Sequence, residues 1–282
     1  MKRTLLISTL AVGSIAVTTN AYAASNVDPE KDRKELVEFL MAKTPKIPME
    51  DYRLGVYIYS ADKRAQYEAV SEFPPYLDAI DAGEALWEKD KAIYTKCFKT
   101  EDVSTIRPKY PYFDEQRGEV ITLELAINEC RQNAGLKPFK WGKGDIARLS
   151  AYLAYNARGE KINVQINSEG AKKAYNAGRD LFIKPHGQLN LSCAKCHAYN
   201  AGRRVRANIL SPALGHTTHF PVWRAKWNNL GTLHRRYNGC MKNIRWDPKT
   251  VGGHQSVAFR NLEFFEAYLS NGLEIDGPDY RE

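Results

Sequence analysis

The sequence predicts a mainly α-helical chain built as two repeats of one small-domain plan, and three observations carry that prediction. Apolar residues recur at helical spacing over 169–183 and 259–269. Strand-like alternation is scarce, with short β-hairpins expected only in the loops around 162–166. A degraded copy of the C-terminal half recurs in the N-terminal half. The 282 residues, 43% hydrophobic and 26% charged, can bury one or two cores, which excludes intrinsic disorder and collagen-like repeats.

At the N-terminus, Lys2 and Arg3 precede an apolar stretch and then Ala21-Tyr22-Ala23, the pattern of a secretory signal cleaved after Ala23. The apolar stretch, 5–17, falls short of the ~20 residues a membrane span needs. Residues 1–23 are therefore expected to be removed, leaving an exported, periplasmic protein without a membrane span. The net charge of +8 becomes +6 without Lys2 and Arg3. No run of five like charges occurs, so the mild basic bias suits anionic ligands or acidic partners and gives no case for nucleic acid.

The C-terminal repeat carries the chemistry. Cys193-Ala194-Lys195-Cys196-His197 is C-x-x-C-H, in which two thiols add to the vinyl groups of haem and the adjacent imidazole becomes the proximal iron ligand. Haem attachment of this kind takes place beyond the cytoplasmic membrane, so the export signal and the motif support each other. A zinc site completed by His216 and His219 competes, but both the distance from Cys196 and the H-x-x-H spacing fit it poorly. A c-type cytochrome domain needs a helix ahead of the motif. Ser168 caps 169–183, where Ala171, Ala174, Tyr175, Gly178 and Phe182 fall near one face and Gly178 permits close helix packing. The partner helix is 259–269, with Phe259, Leu262, Phe265 or Tyr268, and Leu269 on one stripe and Asn271-Gly272 as its stop.

The first repeat echoes this plan with the haem ligands removed. Gly83-Glu84-Ala85-Leu86-Trp87 precedes Cys97 much as Gly178-Arg179-Asp180-Leu181-Phe182 precedes Cys196, and Lys96-Cys97-Phe98 sits where Lys195-Cys196-His197 does. Tyr94 and Phe98 thus stand in place of the first thiol and the histidine. Asn128-Glu129-Cys130-Arg131 parallels Asn238-Gly239-Cys240-Met241, and Ala151-Tyr152-Leu153 is aligned with Ala267-Tyr268-Leu269. The expected organisation is a haem-less cytochrome c-like domain over 24–160 and a haem-binding one over 161–282, joined by a linker near 157–170. Without a haem between them, Cys97 and Cys130 are expected to lie close and, in an oxidising compartment, to form a disulfide.

Cys240 is then left over. Its sulfur, Met241, His216, His219, His234 and His254 are all candidates for the sixth position on the iron, and spacing alone does not choose. Arg235 and Arg236 tilt the choice, because nearby cations lower a thiol's pKa and hold anionic sulfur compounds; their plain reading is a solvated positive face.

Four stretches carry a resemblance: Gln188-Leu189-Asn190-Leu191-Ser192-Cys193, Leu210-Ser211-Pro212-Ala213-Leu214-Gly215-His216, Phe220-Pro221-Val222-Trp223-Arg224, and 230–240 ending in Tyr237-Asn238-Gly239-Cys240. Together they closely resemble the SoxA family, the catalytic cytochrome subunits of the bacterial Sox thiosulfate-oxidising system. The likeness covers most of the chain and is strongest over 161–278.

The resemblance implies an L-cysteine S-thiosulfotransferase that pairs with the cytochrome SoxX and joins thiosulfate to a cysteine of the SoxYZ carrier, releasing two electrons through one covalent haem c. It assigns Cys193 and Cys196 to haem attachment, His197 to the proximal position, and Cys240 to the distal thiolate and catalytic residue, carried as a persulfide. Arg236 matches the family's substrate-binding arginine. Tyr94 and Phe98 mark the single-haem form, in which Cys97 and Cys130 are paired. The alternative is a monohaem periplasmic electron-transfer cytochrome with no chemistry of its own.

Overall fold

Five of the helices start where the sequence offers a side chain that accepts an orphan backbone N–H. In the computed structural model, which describes residues 27–282, Asp28 opens α1 (Pro29–Met41), Ser60 opens α2 (Ala61–Glu72), Thr122 opens α5 (Leu123–Asn133), Ser168 opens α7 (Glu169–Ile183) and Ser256 opens α9 (Val257–Leu269). The expected export signal lies outside the described residues. Between these helices run α3 (Leu77–Lys89), α4 (Lys91–Phe98), α6 (Asp145–Asn156) and α8 (Leu233–Asn243). The α7 boundaries are those the apolar period predicts, and α9 begins two residues earlier than expected, at the Ser256 cap.

The strands are short and serve as connections. β1 (Tyr112–Asp114) pairs antiparallel with β2 (Glu119–Ile121), and β3 (Arg204–Val205) with β4 (Asn208–Ile209). β5 (Val222–Arg224) lies between antiparallel β6 (Asn229–Gly231) and parallel β7 (Asp279–Arg281). Residues 162–166 do not make a hairpin of their own. Ile162 exchanges backbone hydrogen bonds with Leu273 and Gly272, both at 2.9 Å, because the linker runs along the exit of α9.

The repeat is visible in backbone geometry. α3 crosses α6 at Gly83, where an added Cβ would come 2.2 Å from the Arg148 carbonyl oxygen; α7 crosses α9 at Gly178, where one would come 2.0 Å from that of Asn261. Each crossing needs a residue without a side chain. The same contacts place Tyr152 beside Gly83 and Phe265 beside Gly178, so Tyr152 corresponds to Phe265. The expected match to Tyr268 is displaced by one helical turn, a shift that leaves the apolar stripe nearly unchanged.

Two cores result, and they are cross-linked. One gathers Trp87, Tyr94, Ile106, Leu123, Ile127, Ile146 and Leu149; the other gathers Tyr175, Phe182, Leu233, Phe259, Leu262, Phe264 and Phe265. The hairpins exchange side chains, since Val120 of β2 packs in the second core and Leu230 of β6 in the first. The segment ahead of α2 also joins the second core through Leu40 and Tyr52. Arg33 of α1 donates to the carbonyls of Tyr268 (3.0 Å) and Asn271 (2.6 Å), and buried Asp32 accepts from Tyr175 and Arg179, each at 2.7 Å. Residues 27–160 therefore contribute to both cores. Among the described residues, no helix is long and apolar enough to cross a membrane.

Candidate functional site

The site is built on three pieces of the second repeat: the turn after α7, strand β5 and helix α8. Ser192 Oγ accepts the Lys195 N–H at 3.0 Å and starts a short helical run that widens to a π-type turn over Lys195–Tyr199, a geometry that recurs at functional sites. This turn carries Cys193, Cys196 and His197 together, with both thiols free. Burial, followed by the field of Glu266, pushes the Cys193 thiol well up.

His197 is oriented from behind. Its Nδ1–H donates to the Ser211 carbonyl at 2.9 Å, which leaves Nε2 as the free metal-binding nitrogen. Burial holds this imidazole below its ordinary pKa, so it stays neutral as a ligand must. Ser211 belongs to a buried chain that the sequence reading did not single out. Its hydroxyl meets His216 Nε2 at 2.9 Å, His216 Nδ1 meets Glu266 Oε1 at 3.0 Å, and Tyr237 donates to the second oxygen of Glu266. The signal available for it was an acidic residue inside the otherwise aromatic stripe of 259–269.

Cys240 lies on the α8 face shared, at i and i+4, with Arg236. An added Cβ at Gly239 would stand 3.9 Å from an Arg236 Nη atom, so the guanidinium runs along α8 toward its C-terminal end. The fields converge here: Cys240 acts on Cys193, Cys196 and His216, while Arg236 acts on Cys196 and His197. Arg224 of β5 completes the group. Its pKa is pushed down to about 10 by burial and then by Arg236, while Cys240 works in the opposite direction. Its Nε donates to the Glu282 carbonyl at 2.8 Å. Arg235 turns away, donating to Leu230 O at 2.9 Å and stacking its guanidinium 4.1 Å from the Trp227 ring centroid.

The other sixth-position candidates have partners of their own. His216 is held in the Ser211–Glu266 chain, His219 is buried beside Thr218, His234 accepts the Gln255 N–H at 3.0 Å, and His254 meets Asn238 at 2.7 Å. Met241 packs in the second core. The donor set therefore fits a covalently held haem: two free thiols and an imidazole with one nitrogen free on the π-type turn, and a third thiol within electrostatic reach on α8.

The corresponding place in the first repeat is filled with protein. Cys97 and Cys130 form a disulfide between α4 and α5, with a Cα–Cα distance of 5.7 Å. Trp87, Tyr94 and Phe98 stack on one another at 5.4–6.4 Å between ring centroids. Arg131 caps the stack by donating to the Tyr94 hydroxyl at 3.0 Å and to Asp90 at 2.8 Å.

Comparison with known proteins identifies a family for the chain. A family model for the SoxA/TsdA cytochrome c domain matches residues 82–162, the first repeat from α3 through α6. The chain is 48% identical to the L-cysteine S-thiosulfotransferase subunit SoxA of Chlorobaculum tepidum, over 90% of this chain and 88% of that one. It is 45% identical to the subunit of the same name from Chlorobaculum thiosulfatiphilum (100% and 99% covered) and 38% identical to that of Allochromatium vinosum (100% and 99%). Among solved structures, SoxXA from P. pantotrophus matches with a TM-score of 0.64 at 26% identity, covering 74% of this chain and 79% of that one.

Proposed function

The chain belongs to the SoxA family of L-cysteine S-thiosulfotransferases, and from that premise we propose how its residues divide the reaction. The transferase joins thiosulfate to a cysteine of a protein carrier: a thiol and the thiosulfate dianion give a cysteine S-thiosulfonate, one proton and two electrons. The carrier proposed is SoxYZ and the electron-accepting partner is SoxX, in a heterodimer. The family's cytochrome c domain implies a c-type haem, and the single C-x-x-C-H points to one, which Cys193 and Cys196 would hold covalently and whose iron His197 and Cys240 would bind. When bound, that haem supplies a route for the two electrons out of the site.

The chain's own groups do the rest. Arg236, with Arg224 across from it, neutralises the sulfonate end of the dianion and aims its terminal sulfur at Cys240. Guanidinium suits this task because it is always charged and offers fixed donors to a tetrahedral oxyanion. Cys240, a free and half-buried thiol, carries the exchange: its sulfur and the terminal sulfur of thiosulfate join as two electrons and one proton leave, and the carrier thiol then attacks that terminal sulfur, taking the thiosulfonate group and returning Cys240 as a thiol. A further sulfur carried on Cys240 extends the nucleophile along the same axis. The Ser211–His216–Glu266 chain keeps His197 in one tautomer. Export to the periplasm, with cleavage after Ala23, belongs to the same reading.

The convergence of Cys240, Arg236 and Arg224 on the turn that carries Cys193, Cys196 and His197 is the observation that favours a transferase over a plain electron carrier. The decisive test is Cys240→Ser in the complex with the partner cytochrome. Haem stays covalently attached by mass spectrometry while thiosulfate conjugation to the carrier is lost; retained turnover overturns the assignment.

A further inference from the structure

The hydrogen-bonded chain behind His197 does not stop at Glu266. The Nδ1–H of His197 faces the Ser211 carbonyl at 2.9 Å and the Ser211 hydroxyl at 3.2 Å, and the rings of His197 and His216 meet edge to face with centroids 4.6 Å apart. Ser211 Oγ lies 2.9 Å from His216 Nε2, and His216 Nδ1 lies 3.0 Å from Glu266 Oε1. The other carboxylate oxygen, Oε2, accepts from the Tyr237 hydroxyl. Tyr237 belongs to α8, the helix that carries Arg236 and Cys240. An unbroken run of hydrogen bonds thus joins the imidazole on the π-type turn to the helix of the catalytic thiol, with one carboxylate between them.

We propose that Glu266 is a positioning residue that joins the two sides of the site: through His216 and Ser211 it orients His197, and through Tyr237 it fixes the rotation of α8 and hence the aim of Cys240 and Arg236. The arm to α8 acts close to the thiol. Tyr237 is 7% exposed, its ring stands edge to face with Phe259 at 5.5 Å, and Cys240 follows one turn later at i+3. A hydroxyl tethered at Tyr237 limits how far the helix can roll, and any roll carries Cys240 and Arg236 with it.

The protons along the run follow from one end. An imidazole that keeps Nε2 for a metal carries its proton on Nδ1, so both Ser211 oxygens act as acceptors toward His197. The Ser211 hydroxyl then gives its own proton to His216 Nε2, which leaves the His216 proton on Nδ1, facing Glu266. Tyr237 brings a second donor to the same carboxyl group. Glu266 must therefore accept on both oxygens. A carboxylate can do so, whereas an amide has only one acceptor and would leave one arm without its partner. The carboxylate is also fixed in place. Glu266 is 2% exposed, its backbone carbonyl accepts from Ser270 Oγ at 2.9 Å, and that oxygen in turn accepts the Gly215 N–H at 3.0 Å. The loop over 211–216 is thus held to α9 at two points, through Gly215 and through His216.

This rests on Cys240 being the working thiol, and the test separates the two ideas. In the haem-loaded complex with the partner cytochrome, Glu266→Gln keeps the size of the side chain and removes one acceptor and the negative charge. Covalent haem is expected to be retained by mass spectrometry, with an altered electron paramagnetic resonance signature of the oxidised protein. Loss of a buried negative charge favours the reduced form, and the reduction equilibrium is expected to shift about tenfold that way, or about 59 mV for one electron. The kcat is expected to fall about tenfold, the scale of a small misplacement of reacting groups. Tyr237→Phe cuts only the arm to α8 and is expected to lower kcat about threefold, with an altered signature. This second variant decides the matter if Glu266→Gln does not fold. Glu266→Gln with the wild-type signature and potential, or Tyr237→Phe with the wild-type kcat and signature, overturns the proposal, because a merely structural anchor lowers Tm alone. Activity in Cys240→Ser would instead overturn the transferase site while leaving the potential shift of Glu266→Gln standing.

Discussion

The same pair of helix positions holds a disulfide in one repeat and free thiols in the other. Cys97 and Cys130 close the first repeat, whereas their counterparts Cys196 and Cys240 remain apart as thiols. The difference follows from what lies beside them. Where Tyr94 and Phe98 stand, three stacked aromatic rings and the Arg131–Asp90 pair fill the interior, and two sulfurs can bond. Where Cys193 and His197 stand, the same scaffold presents ligands, and Cys240 faces Arg236 and Arg224 instead of a disulfide partner. One cysteine pair is thus a staple in one repeat and a pair of free thiols in the other.

Removing sulfur from each repeat in turn tests that contrast most strongly. Cys240→Ser is expected to abolish conjugation with little change in Tm. The double change Cys97→Ser and Cys130→Ser is expected to do the reverse. With a sequence separation of 33, chain-entropy arguments give a loss of about 3 to 4 kcal/mol, read as a lower midpoint in denaturant while activity below the transition persists. Equal effects of the two changes on activity would erase the distinction.

The helix crossings sharpen it further. Gly83→Ala and Gly178→Ala each push a methyl group into a backbone carbonyl, and each is expected to cost about 3 kcal/mol, at the upper end of overpacking. Only Gly178→Ala is expected to reduce haem attachment as well, because α7 leads directly into Cys193. Haem content by absorbance, set against Tm, separates the two. A loss of haem in Gly83→Ala would mean that the repeats do not divide structure from chemistry in this way.

Much of this was legible beforehand, and the failures have physical reasons. The span of α7 could be read because Ser168 and a one-sided apolar stripe specify a start and a face. Cys97 and Cys130 could be paired because the repeat put them at equivalent places. What a stripe does not specify is its partner, so the packing of Leu40 and Tyr52 on the second core, and the exchange of Val120 and Leu230, were hidden. Glu263 and Glu266 were passed over because their stripe reads as aromatic core. Their burial is tolerated only by partners from elsewhere in the chain: His234 for one, His216 and Tyr237 for the other. Adjacent arginines also look alike in sequence, yet helix geometry turns them about 100° apart.

That rotation gives a smaller and cleaner comparison. Arg236→Ala is expected to raise the KM for thiosulfate roughly tenfold to a hundredfold, the scale of a charged hydrogen bond, with Tm nearly unchanged. Arg235→Ala is expected to leave KM within about twofold and to lower stability by about 1 kcal/mol through its lost contact with Trp227. Similar KM values for both variants would place the sulfonate elsewhere.

The mildest change acts on the aromatic filling itself. Tyr94 is fully buried, its ring stacks on Trp87 and Phe98, and its hydroxyl accepts from Arg131 at 3.0 Å. Tyr94→Phe keeps the ring and removes only that acceptor, while Arg131 keeps its ion pair with Asp90 and its carbonyl bond to Lys137. The guanidinium is therefore not stranded, and the expected cost is that of one hydrogen bond, about 1 kcal/mol in denaturant unfolding. Turnover and the resonance signature of the oxidised haem are expected to stay at their wild-type values. If so modest a change in the first repeat altered the signature, Tyr94 would have to be coupled to the second repeat's thiol through the packing the two repeats share, and the filled repeat could no longer be treated as scaffold alone.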